Sequence, residues 1–245
     1  MQAIVLSRRP WRDHDEVITL FTDELGKIEA LARGSKKIIS KNSPSLEPPS
    51  LCQVSLIPAK ENWLLTTAEA VTSFSNIRQN LEKALVAARS CAVIEKILPP
   101  AEPDSELFNN FKDWLIFLES ATLGLTSLYP AFILKLVGHS GFRPNLYACA
   151  ECAEDKLPKL NLYFSVSSGG LLCEACATGS VLSGQPPQPI FKISTDVVKA
   201  LRLYLVGSWD VISRLKLSEE NLKQITAVIK NFFEFHFAQK INIFI

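Results

Sequence analysis

Over the first seventy-five residues the apolar positions recur with the two-residue period of half-buried strands. Gln2–Ser7 is apolar and β-branched, Glu16–Thr22 alternates around Val17, Ile18, Leu20 and Phe21, and Lys27–Ala32 sets Ile28, Ala30 and Ala32 on one face. After a polar loop come Leu51–Ile57 and Trp63–Thr72, the last rich in threonine and valine, and Asp23, Glu24, Leu25 and Gly26 supply a turn between the second and third strands. Five short strands with one long loop predict a five-stranded Greek-key barrel of the OB type. Periodicity alone leaves an SH3-like barrel open.

From Asn76 the period lengthens. Leu81, Leu85, Ala88 and Ala92 form one stripe of an amphipathic helix, which must end before Pro99 and Pro100 because proline brings a ring clash and no N–H. Asp104 or Ser105 caps a second helix to about Leu123, with Phe108, Phe111, Leu115 and Leu118 inward. A third runs to about His139 with Pro130 in its first turn. Ser194 or Thr195 starts another through Leu205, after a linker over 184–189, and Ser218 starts the last, with Leu222, Ile225, Ile229, Phe232 and Phe233 inward. Between the third and fourth helices, Leu162–Val166 reads as a strand, and Gly169 and Gly170 turn the chain into Leu171 and Leu172.

That hairpin lies between two close cysteine pairs, Cys149 with Cys152 and Cys173 with Cys176, spaced C-x2-C-x20-C-x2-C. Each pair aims two thiolates at one point, and the hairpin folds the second pair onto the first, as a tetrahedral zinc ribbon requires. One structural Zn²⁺ per chain follows, since four protein ligands leave no open position for water or substrate. A disulfide framework is the alternative, but such frameworks concentrate in small secreted domains. The chain thus reads as an α+β multidomain protein. An OB barrel spans 1–75 and a helical domain begins over 76–146. A zinc ribbon is inserted at 147–180, and 181–245 completes the helical part.

Composition changes this picture little. With 47% hydrophobic and 21% charged residues the chain is an ordinary water-soluble one. Arg8, Arg9, Arg12 and Asp13 follow the first strand too closely for a secretory signal. The most apolar stretch, Leu115–Val137, contains Glu119, Pro130 and Lys135 and reads as buried helix rather than membrane span. Cys52 and Cys91 look like small core residues, so a reducing cytoplasmic compartment is expected. The formal charge is +1, so nucleic-acid binding has to come from local patches.

Two such patches stand out. The run from Arg33 to Lys41 carries Arg33, Lys36, Lys37 and Lys41 with no acid, and Gly34 with the small Ser35 would let backbone N–H groups approach a phosphate. The same composition fits a solvated loop equally well. Arg8, Arg9 and Arg12 cluster around Trp11, which can stack on a base or pack in the core, while Asp13, Asp15 and Glu16 weaken that patch. Catalysis finds little support: there is no phosphate loop of the G-x-x-x-x-G-K-[ST] form, no G-x-S-x-G elbow, and His14, His139 and His236 form no ligand array. No enzyme, small-molecule substrate or membrane partner is expected. A hydrolase assembled only by the fold, or an RNA-binding OB and zinc-ribbon protein, are the competing readings.

The order of motifs resembles the RecO family of bacterial recombination mediators nearly end to end. Ala3–Pro10 (AIVLSRRP), Asp15–Thr22 (DEVITLFT) and Gly26–Ile28 look like its opening strands. Arg33–Lys37 (RGSKK) looks like its basic loop, and Leu46–Leu51 (LEPPSL) like its return to the barrel. Gly138–Asn145 (GHSGFRPN) leads into the cysteines as the family's G-[YF]-x-P segment does, and Gly169–Cys173 and Phe232–Phe237 complete the pattern. The resemblance implies a cytoplasmic, nucleoid-associated DNA repair protein that binds single- and double-stranded DNA and anneals complementary strands. It implies action with RecR, and often RecF, in helping RecA displace single-stranded DNA-binding protein (SSB) from gaps. It also implies a helical domain that holds the acidic, aromatic C-terminal tail of SSB, with Arg78, Lys83 and Arg89 as candidates. Two departures are Ile38 and Ile39, where relatives often keep proline and further basic residues, and Ala153 where they often have glycine.

Overall fold

The computed structural model describes residues 1–35, 43–59, 62–122, 125–155, 161–182 and 189–241. They form two compact units, Met1–Ala121 and Thr122–Ile245. In the first unit, β1 (Gln2–Trp11), β2 (Asp15–Thr22), β3 (Gly26–Ala32), β4 (Ser50–Pro58) and β5 (Trp63–Thr72) close a barrel in the order β1-β2-β3-β5-β4. β4 pairs with β1 antiparallel, and β3 pairs with β5 in parallel through Ala30–Trp63 and Leu31–Leu64, so this is the OB barrel that the alternation predicts. Ala3, Val5, Ile18, Leu20, Ile28, Ala30, Cys52, Val54 and Leu65 fill it, and Leu46 joins them from a short 3₁₀ helix, Ser43–Leu46.

β2 is buried on both faces, because helices cover the outside of the barrel. α1 (Ser75–Gln79), α2 (Leu81–Ile97) and α3 (Ser105–Ser120) follow, with Asn80 and Asp104 accepting the N–H groups of Lys83 and Leu107 as caps. Phe21 meets Phe108 edge to face at 5.5 Å, and Ser7 Oγ lies within hydrogen-bond reach of both Thr19 Oγ1 and Glu95 Oε1. Gly26 sits at φ +67°, and a Cβ there would lie 2.1 Å from the carbonyl oxygen of Glu102. Only glycine lets the β2–β3 turn pass under that segment.

One expectation turns over. The stripe Leu81, Leu85, Ala88 and Ala92 faces outward, with Leu81 86% exposed. The buried face of α2 is Lys83, Val86, Ala87, Ser90, Cys91, Val93 and Ile94. Ser90 belongs to it because its hydroxyl accepts from Trp114 Nε1, at 3.0 Å, and donates to the Val86 carbonyl. Burial pushes the thiols of Cys52 and Cys91 up to about 11 and about 12, so both stay protonated and behave as small apolar residues.

In the second unit, α4 (Leu125–His139) packs against α6 (Thr195–Val206), α7 (Trp209–Ser213) and α8 (Glu219–Phe237). α4 begins early enough that Pro130 lies in its second turn, not its first. Ser194 and Ser218 cap α6 and α8 as expected. A small antiparallel sheet, β7-β6-β8, joins β6 (Leu162–Ser165), β7 (Gly170–Leu172) and β8 (Ile190–Ile193), and α5 (Glu174–Leu182) follows β7. Phe164 of β6 meets Phe232 of α8 at 5.4 Å, which ties the sheet to the helices of this unit. Among the described residues no helix is long and apolar enough to cross a membrane.

Candidate metal centre and nucleic-acid interface

The four cysteines come together. The chain enters at Asn145, whose N–H donates to the Gly169 carbonyl while its own carbonyl accepts from Leu171 N, 2.9 Å each. A Cβ at position 170 would lie 2.3 Å from that carbonyl oxygen, so Gly170 permits the crossing. Cys149 N donates to Glu154 O, and Ala153 N donates to Cys149 O, closing the first knuckle around Cys152. The second pair lies where β7 passes into α5, with Ala177 N donating to Cys173 O in the first helical turn.

All four sulfurs lie within 4.8 Å of one another, and those of Cys152 and Cys173 are 3.9 Å apart. Tetrahedral bonds of about 2.3 Å place sulfurs about 3.8 Å apart, so the cluster has the dimensions of a four-thiolate site. Burial opposes ionisation of Cys149, but the N–H groups of Cys152, Cys173 and Glu151 carry its pKa down to about 6. Hydrogen bonds with Cys173 and Cys152 hold the proton on Cys176 and push it up to about 12. Four thiolates this close ionise together only around a cation, so the residues present fit a metal ion.

Ala153 adopts the left-handed conformation at φ +60°, where the Cβ of an L-residue is strained. Replacing it with glycine is expected to stabilise the second unit by about 0.5 kcal/mol, after glycine's extra chain entropy offsets part of the relief. Calorimetry of Ala153→Gly checks this, and a lowered transition temperature counts against it.

At one end of the barrel, residues 12–14 join β1 to β2, and residues 33–35 follow β3. The β2–β3 register pairs Glu16 with Ala32, so these two turns are neighbours. The Gly34 N–H donates to Asp15 Oδ1 at 2.8 Å and Ser35 Oγ donates to Glu16 Oε2 at 2.9 Å. The Gly34 amide is thus already engaged, contrary to its expected approach to a phosphate. Arg12 and Arg33 are exposed here, and among the described residues no carboxylate pairs with either. Trp11, 45% exposed, stands beside them rather than in the core.

Arg8 and Arg9 are placed differently. β1 continues through them to Trp11, so they lie on a strand. Arg8 bridges Glu16 at 3.3 Å and Glu47 at 2.6 Å, and Arg9 bridges Glu29 at 3.0 Å. Lys36, Lys37 and Lys41 lie outside the described residues. Of the α1–α2 candidates, Arg78 donates to the carbonyls of Glu47 and Pro49 and to Ser50 Oγ, and the buried Lys83 donates to the Glu119 carbonyl. Beside them a groove of about 230 Å³ runs between Leu6 of β1, Pro48 and Pro49 just ahead of β4, and Ala84, Ala88 and Ala92 of α2.

With this geometry in place, comparison with known proteins decides the family. A model described as the recombination protein O N-terminal domain matches residues 1–74, and one for its C-terminal domain matches residues 78–242. This chain belongs to the RecO family. Curated relatives carry the name DNA repair protein RecO. That of Desulforamulus reducens is 26% identical over 242 residues, covering 99% of this chain and 91% of the relative. One from Dehalococcoides mccartyi is 30% identical over 230 residues, covering 94% and 87%, and one from Thermoanaerobacter is 27% identical over 243 residues, covering 98% and 94%. The first RecO match ends just after β5 and the second begins within α1. The barrel is therefore the family's N-terminal part, and the cysteine cluster lies within its C-terminal part.

Proposed function

We propose that this RecO-family chain is a cytoplasmic, nucleoid-associated recombination mediator in DNA repair. It binds single- and double-stranded DNA, anneals complementary strands and, with RecR and in some settings RecF, helps load RecA onto SSB-coated gaps. The observation that carries this reading is the barrel end where Trp11, Arg12 and Arg33 are exposed together and, among the described residues, no carboxylate pairs with either arginine. Arginines there hold a strand by its phosphates and leave most bases free to pair, which annealing requires. Lys36, Lys37 and Lys41 extend the same loop in sequence.

The four cysteines hold Zn²⁺ in this reading, since an all-sulfur tetrahedral set selects zinc over the harder divalent ions. With no position left for water, the metal shapes the fold and supplies no reaction step. The SSB tail fits the outer face of α2, where the apolar stripe ending in Leu81 lies open beside the 230 Å³ groove. No catalytic step is assigned to the protein.

The test is annealing of two complementary oligonucleotides coated with the cognate SSB, without ATP, followed by fluorescence quenching. Acceleration over the SSB-only control is the expected result. Absence of acceleration together with absence of DNA and SSB binding, or a clear preference for RNA of equal length, overturns the reading.

A further inference from the structure

We infer that Tyr147 and Arg202 form a stacking platform for an unpaired base of single-stranded DNA, a contact in the second unit separate from the barrel. The inference rests on the DNA-binding reading above. Tyr147 is 62% exposed, an unusual position for an aromatic ring that no core requires. It is nevertheless held in place. Its N–H and that of Ala148 both donate to Asn145 Oδ1 at 3.2 Å, and Asn145 is itself fixed by its paired bonds to Gly169 and Leu171. Leu146 next to it is fully buried.

One face of the ring is already stacked. The Arg202 guanidinium lies 4.5 Å from the Tyr147 ring centroid. It is pinned there by Nε and one terminal nitrogen, which donate to the Leu146 carbonyl at 2.8 and 2.5 Å. A ring covered on one face and still mostly exposed presents its other face to water. Two of the five N–H groups of Arg202 are used on Leu146, and among the described residues no carboxylate neutralises it. The platform therefore offers an open π-face with an uncompensated cation behind it.

A base with its phosphate answers both features: the base stacks on the tyrosine, and the remaining guanidinium donors reach the negatively charged backbone. Stacking takes any base, so the contact is independent of sequence. Because ring and guanidinium are fixed before binding, little side-chain freedom is lost when the strand arrives. A double helix keeps its bases stacked on one another, so the platform selects single strands.

The experiment measures binding of the full chain to a short oligothymidylate and to an abasic strand of equal length, which keeps the phosphates but has no bases. Tyr147→Ala is expected to weaken oligothymidylate binding about 5- to 100-fold and to leave abasic-strand binding and metal content unchanged. Tyr147→Phe is expected to restore the wild-type affinity. Equal losses on both strands, or no loss on oligothymidylate, overturn the platform. If the wild-type chain binds neither strand, the DNA-binding reading itself fails, and the platform with it.

Discussion

Removing the metal is expected to unfold the cysteine-bearing part of the second unit while the barrel stays folded. The hairpin from Asn145 to α5 has a small apolar core of its own, Cys149, Leu172 and Ala177, with Tyr163 and Ile190 packed against it. So few side chains do not offset the entropy of ordering the segment, and a metal ion held by the four thiolates is expected to supply the balance. In isolated zinc domains that contribution is about 10–16 kcal/mol at neutral pH. A Cys149→Ser variant, which removes the most buried ligand, is expected to lose at least about 3 kcal/mol of stability in this unit.

The damage has a path. Phe164 is buried against Phe232 of α8, and β6 pairs with β8 ahead of α6, so melting the hairpin uncovers part of the helical core. The barrel has a separate core of twelve buried residues from its own strands and the Ser43–Leu46 turn. Calorimetry should therefore show two transitions, of which only one falls on chelation. DNA binding through the barrel end should survive. A wild-type protein that keeps both transitions after exhaustive chelation, with no metal left by elemental analysis, would falsify a structural role.

What sequence alone discloses tracks how local each determinant is. Strands β2, β3 and β5 are legible in the sequence to within a residue; in β3 the buried face is written as every second position, while in β2 and β5 the apolar, β-branched and threonine content marks the strand. The same alternation stops β1 at Ser7, whereas the strand runs on to Trp11; there the two arginines are matched by Glu16 on the neighbouring strand and by Glu47 and Glu29, which only the folded barrel brings near. In α2 the leucine and alanine stripe has the better period, yet the face that meets the rest of the unit is the one with Ser90. Periodicity reports that a helix has an apolar face and does not report which neighbour it meets.

The functional residues divide in the same way. Cysteine spacing fixes the metal cluster because both ligands of each pair are local. Charge counting selects the basic residues of β1 and of the two barrel-end turns together, and does not separate Arg12 and Arg33 from the paired Arg8 and Arg9. Tyr147 and Arg202 are far apart in sequence and carry no motif; only the bonds to Leu146 bring them together.

That separation of the arginines gives the second large effect. On single strands each phosphate neutralised adds about 0.7 to the slope of log affinity against log salt. The Arg33→Gln, Lys36→Gln, Lys37→Gln triple variant removes three cations from the basic run Arg33–Lys41, which begins at the barrel end with Arg33. If all three meet phosphates, the slope should flatten by about 2. Because the electrostatic part fades near about 1 M salt, a slope change of about 2 corresponds to roughly 100-fold weaker binding at about 0.1 M. The loss should be the same for every sequence, as phosphate contacts carry no base information. Arg9→Gln, in contrast, removes a charge that Glu29 already balances, and both slope and affinity should stay close to wild type. Titrations of a fluorescent oligothymidylate across salt concentrations read both. A triple variant with an unchanged slope would move the DNA contact away from the loop, and an Arg9→Gln effect as large as the triple's would mean that the Arg9–Glu29 pair opens to take a phosphate.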